Sequence, residues 1–176
     1  RQMCIRDSFS TGALYSNFEG KEDLFLALMD RETDAHAAAI AAAVRQRPSV
    51  AERATGGADL WMAMIDREPD LHMLMMEFWA YGVRDPDIRP KMAERLAQMR
   101  ELLTRLIVEA AREFDLELAL PAEQLAIAID GLADGMARQK LADPDVVPDE
   151  LMGRVLGLLL AAATRPLGDT DTRSEA

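Results

Sequence analysis

Leu71, Leu74, Met75, Phe78 and Trp79 fall at i, i+3, i+4, i+7 and i+8, the spacing of a helix that turns one apolar face inward. The same period recurs along most of the chain. Leu24, Leu28, Met29, Ile40 and Val44 predict a helix that begins at Lys21 and stops at Arg45-Gln46-Arg47-Pro48. Ser49, with Glu52 three residues on, has the form of a capping box, and Leu60, Trp61, Met64 and Ile65 continue the helix behind it. Glu68-Pro69 marks a boundary, because the residue before a proline avoids the helical region. Gly82 and Asp85-Pro86 close the helix that follows. Met92, Leu96, Met99, Leu103, Leu106, Ile107 and Ala110 mark the buried face of a long helix.

Pro121 suits a first helical position and opens a helix through Leu125, Ile129, Leu132 and Met136. After the polar loop Ala142-Asp143-Pro144-Asp145, a last helix carries Leu151, Val155, Leu158, Leu159 and Ala162 and ends at Pro166. The pattern marks no strand and no internal repeat. The expectation is an all-α fold, with helices spanning roughly 50–66, 70–82 and 88–114 at its centre. Residues 167–176, polar and acidic, read as a disordered tail.

Composition narrows the class. The chain has 176 residues, 49% of them hydrophobic and 5% aromatic, a mix dominated by side chains that lose little rotamer freedom in a helix. That length matches one domain with a sizeable core. No apolar run reaches the roughly 18 residues of a membrane span, so no membrane partner is expected. One cysteine excludes an internal disulfide, and a reducing cytoplasm is the simplest compartment. The net charge is −11, of which residues 1–31 carry only −1. Such a body does not coat nucleic acid indiscriminately, but it leaves room for a DNA-facing patch at the N-terminus.

That patch has a pattern of its own. Gly12-x-Leu14-Tyr15-x-x-Phe18-x-x-Lys21-x-x-Leu24 resembles the signature of the tetracycline-repressor (TetR) family of bacterial transcription regulators, with six positions matched at fixed spacing. The resemblance implies a recognition helix at about residues 10–17 and a longer helix leading from it into an all-helical body. Under it, Ser10 caps the recognition helix, Gly12 allows close approach to another backbone, and Tyr15 and Lys21 anchor DNA phosphates. Thr11, Ala13, Ser16 and Asn17 occupy positions that meet base edges, Asn17 being suited to adenine. The implied organisation is a partial helix-turn-helix head over 1–30 and a regulatory and dimerisation domain over 31–166.

The family's head has two helices before the recognition helix, whereas nine residues precede Ser10 here, and residues 1–8 read as foreign sequence. A recognition helix needs that scaffold to keep its register in the groove. These 176 residues are therefore expected to bind DNA poorly, operator DNA being a partner of the intact protein.

Seven of the eleven methionines lie between residues 62 and 99, and the two tryptophans, Trp61 and Trp79, share the region. Methionine at helical spacing is compatible with plain core. The resemblance implies instead that this region encloses an effector pocket, with Trp61, Met64, Met75, Phe78, Trp79 and Met99 as its lining for a small apolar ligand. Glu77 and His72 can orient such a ligand or simply be solvated.

Gly131 and Gly135, and then Gly153 and Gly157, accompany apolar stripes on the last two helices. The resemblance makes these helices a homodimer interface, formed by Leu125, Ile129, Leu132, Leu151, Val155 and Leu158; alternatively the stripes finish the monomer's core. Catalysis finds no support. HExxH, P-loop and GxGxxG patterns are absent, and Glu32 and His36 have the wrong spacing for a carboxylate-bridged metal pair. No metal or cofactor is expected. The function implied is a ligand-responsive repressor released from DNA by an apolar effector. The rival is a helical small-molecule-binding or interaction protein with no DNA role.

Overall fold

The computed structural model describes residues 18–168. Its elements run α1 (Lys21–Arg45), α2 (Val50–Arg67), α3 (Pro69–Gly82), α4 (Arg89–Glu113), β1 (Leu116–Leu118), α5 (Ala122–Ala142), α6 (Leu151–Ala163) and β2 (Thr164–Pro166). The helix boundaries follow from local chemistry. The Ser49 Oγ accepts the Glu52 backbone N–H at 3.2 Å and donates to the Glu52 carboxylate at 3.2 Å, so side chains replace missing helical partners at the start of α2. Pro69 and Pro90 occupy first-turn positions of α3 and α4, where no N–H is required.

Two apolar clusters hold the bundle together. Ala54, Ala58 and Met62 of α2 pack against Met152 and Leu156 of α6, with Val147 of the preceding loop completing the group. The two helices approach closely because α6 carries Gly153: a Cβ there would lie 3.3 Å from the Thr55 Cα. The second cluster joins Leu26 of α1, Phe78 of α3, and Ile88 and Met92 at the start of α4. Gly82 allows this junction, since a Cβ would overlap the Met92 sulfur and lie 2.9 Å from the Ile88 Cγ2.

Charged side chains then fix α1 along α4. Arg95 donates to Asp30 at 2.6 Å, and Arg45 meets Glu109 at 3.1 Å fifteen residues further along α1. Lys140, buried on α5, reaches Asp66 of α2 at 2.7 Å and Asp149 at 3.1 Å. Burial alone would lower the Lys140 pKa, but the hydrogen bonds to the two carboxylates prevail and hold it above the usual lysine value.

One element is absent from the sequence pattern. β1 and β2 form a two-stranded antiparallel ribbon, pairing Leu116 with Pro166, Glu117 with Arg165 and Leu118 with Thr164. Asp115, at φ 51°, turns the chain out of α4 into it, and its carbonyl accepts the Leu167 N–H at 2.8 Å. Three-residue strands have too few positions to display a period of two, and proline is tolerated in such a strand because it lies at an edge. Helix α1 runs unbroken across the expected domain boundary at residues 30–31.

Candidate functional site

Between the ends of these helices lies a cavity of about 160 Å³. Ile40 and Val44 of α1 form one side. Gly57, Ala58 and Trp61 of α2 form the next, and Met99, Leu103, Ile107 and Ala110 of α4 a third. Ile129, Asp130 and Ala133 of α5 and Met152, Leu156 and Leu160 of α6 complete the wall. Leu116 and Leu118 of β1 also line it, so the ribbon contributes to the wall. Small residues, among them Ala58, Ala110 and Ala133, form part of the wall, and Gly57 lets α2 approach Val44 of α1, where a Cβ would lie 3.3 Å from the Val44 Cγ2. The cavity's volume is similar to that of the roughly 150 Å³ apolar cavity known to take benzene.

Three polar residues reach this wall, and two are satisfied within the protein. The Thr164 hydroxyl donates to the Leu160 carbonyl at 2.8 Å. Arg53 donates to the Arg47 carbonyl at 3.1 Å and to Glu113 at 2.7 Å, with its guanidinium 4.7 Å from the Phe114 ring centroid. The third, Asp130, is half-buried, and its carboxylate has neither a hydrogen bond nor an ion pair among the described residues. Burial pushes its pKa up to about 6; Asp134 on the next turn adds to the rise, and Arg100 of α4 opposes it.

Trp61 links the cavity to the rest of the bundle. Its indole N–H donates to the Ala133 carbonyl at 3.3 Å, tying α2 to α5. The same ring meets the edges of both histidines, with centroids 6.0 Å from His36 of α1 and 5.5 Å from His72 of α3. Burial lowers the His36 pKa, His72 lowers it further, and Glu32 and Glu68 oppose them.

Of the six lining residues expected from sequence, Trp61 and Met99 line this cavity. Met64 and Met75 are half-buried elsewhere. Phe78 belongs to the α1–α3–α4 cluster, stacked at 4.9 Å on Phe25, and Trp79 is 49% exposed. The reason is topological: α3 packs on α1 and the start of α4, so α5 and α6 provide the walls that the sequence reading gave to α3. Glu77 lies in a separate groove with Lys21, Phe25, Leu74 and Tyr81.

The expected interface residues also divide. Leu125 is wholly buried in the protomer (0% exposed) and Ile129 lines the cavity. Leu151 packs on the α2–α6 cluster, while Leu132 and Val155 are half-buried. Leu158 is 71% exposed. Ile127, one turn from Gly131, is 56% exposed, and Cβ atoms added at Gly131, Gly135 and Gly157 would meet nothing within 4 Å.

The DNA-contact expectations for Ser10, Thr11, Gly12, Ala13, Tyr15, Ser16 and Asn17 lie outside the described residues. Lys21 opens α1, its ammonium 5.6 Å from the Phe25 ring centroid.

Asp130 was missed by sequence reasoning, although it left a signal. It sits four residues after Ala126 and seven before Ala137, both buried, which places an acid on the inward face of α5. Among the described residues, no cluster of three or more His, Cys, Asp or Glu side chains is arranged to hold a metal, and no helix is long and apolar enough to cross a membrane.

The family model for the C-terminal domain of BetI-type transcriptional repressors, a TetR C-terminal family, matches residues 50–165. The match opens at the first residue of α2 and ends inside β2, covering every cavity wall except the contribution of α1. No curated protein and no solved structure matches the chain.

Proposed function

We propose that this chain, which belongs to the TetR family of transcriptional regulators through its BetI-type C-terminal domain, is the sensing body of a homodimeric repressor that leaves operator DNA when a small apolar effector fills the cavity. The family is non-enzymatic. The cavity itself carries the reading: an apolar hollow bounded by five helices and partly open to solvent leaves wall atoms without packing partners, and a ligand that fills it supplies those contacts. The DNA half of the reading rests on the motif from Gly12 to Leu24 and on family membership.

The geometry supports a route from ligand to DNA. Ile40 and Val44 face the cavity from α1, and the same helix starts at Lys21, next to the proposed recognition stretch. A ligand acts only to the extent that it binds two arrangements of α1 unequally. In the proposed mechanism the filled cavity favours a setting of α1 that spreads the two heads away from adjacent half-sites. The exposed faces of α5 and α6, with Ile127 and Leu158 at their centres, are the proposed interface. A two-fold dimer of this kind suits a palindromic operator.

The test is a thermal-shift panel of indole, naphthalene and n-propylbenzene. At least one is expected to raise the melting temperature with saturation, reaching about 2.7 kcal/mol of stabilisation at a hundredfold excess over its dissociation constant. Ala110→Phe, which projects a ring into the cavity, should abolish the response. A shift that survives this substitution would place the ligand elsewhere.

A further inference from the structure

We propose that the cavity selects effectors whose apolar body carries a protonated amine, with Asp130 as the counter-ion that receives it. The inference rests on reading the cavity as the effector site, and it assigns that site a chemical class. Among the polar groups on the wall, only Asp130 is left without a partner among the described residues. Arg53 is the wall's one cation, and it is engaged by the Arg47 carbonyl, Glu113 and the Phe114 ring. An anionic ligand therefore finds a committed cation and an uncommitted carboxylate, and is rejected. A neutral hydrocarbon fills the space but strips water from Asp130 without replacing it, and unsatisfied buried charge is costly. A primary ammonium supplies both the opposite charge and N–H donors.

The charges around Asp130 are compatible with this role. Asp134 on its own helix favours an arriving cation, while Arg100 of α4 opposes it without forming an ion pair. With a pKa raised to about 6, Asp130 is mainly ionised at pH 7.5 and mainly neutral at pH 5, where an amine remains protonated. Trp61 is on the same wall and presents an aromatic ring to the ligand.

The experiment uses three probes on one phenylalkyl body: 2-phenylethylamine, its neutral isostere n-propylbenzene, and 3-phenylpropanoate. Binding is followed by the emission of Trp61 in a Trp79→Phe background, where it is the sole tryptophan, and by melting temperature. The amine is expected to bind at least tenfold more tightly than propylbenzene at pH 7.5, with no binding of the carboxylate. Its affinity should fall about tenfold at pH 5 as Asp130 takes up a proton.

Asp130→Asn should bring amine and hydrocarbon to equal affinity and remove that pH dependence; any pH response from His36 or His72 would remain. Equal binding of amine and hydrocarbon to the unsubstituted site, or a preference that persists in Asp130→Asn, overturns the charge assignment and leaves the apolar effector site standing. If none of the three perturbs Trp61 or the melting temperature, the cavity reading falls together with the charge assignment.

Discussion

Ile127→Glu combined with Leu158→Glu is expected to yield folded monomers, whereas Leu125→Ala is expected to leave the dimer but weaken each protomer by about 2–5 kcal/mol. The three residues lie within the same two helices, and sequence alone assigns Leu125 and Leu158 the same role. The structure separates them: Leu125 is 0% exposed and Leu158 is 71% exposed. Truncating Leu125 leaves a cavity in the protomer and no change on its surface.

Glutamate at positions 127 and 158 changes no buried contact of the protomer. In a two-fold interface it places like charges at four positions in an apolar contact. Light scattering at micromolar concentration reads the mass, and circular dichroism the helix content. An unsubstituted protein that is already monomeric would refute the interface; so would a double variant that remains dimeric.

Asp130→Asn is expected to stabilise the protein at neutral pH, unusually for a substitution at a half-buried helix position. The folded-state pKa of Asp130 is raised from 3.8 to about 6, so the ionised group opposes folding. Its protonated form contributes full stability below pH 3.8, and that contribution is lost as pH rises through 6. Two pKa units correspond to nearly 3 kcal/mol, which partial access to solvent reduces to about 1–2 kcal/mol. Urea unfolding at pH 7.5 should show that gain for the asparagine variant, and the two proteins should converge near pH 4. A variant less stable than the parent at pH 7.5 would mean that Asp130 has a partner within the fold.

The helical architecture was largely legible in the sequence because its signals are local. Ser49, Pro69, Gly82 and Pro121 set helix limits through backbone chemistry that needs no tertiary context, and the observed boundaries lie close to them. The site was less legible because it depends on which helices become neighbours. The stripe from Leu71 to Trp79 has ideal periodicity, yet α3 spends it on Phe25, Ile88 and Met92 and exposes Trp79. Periodicity identifies an apolar face but not its partner. Several residues of the wall are small ones, such as Gly57, Ala110 and Ala133, which in a sequence are indistinguishable from ordinary helix formers. Leu116 and Leu118 are invisible for a different reason: their ribbon exists only through pairing with residues 164–166.

Hydrogen–deuterium exchange tests the central claim most directly, using the compound from the aromatic panel that gives the largest thermal shift. If the cavity is the effector site, binding protects backbone amides in α2, the second half of α4, and the inward faces of α5 and α6, and it changes exchange at the Ile40–Val44 end of α1. Protection confined to the groove of Lys21, Phe25, Leu74 and Tyr81 would contradict the account, because the ligand would then occupy the opposite end of α1.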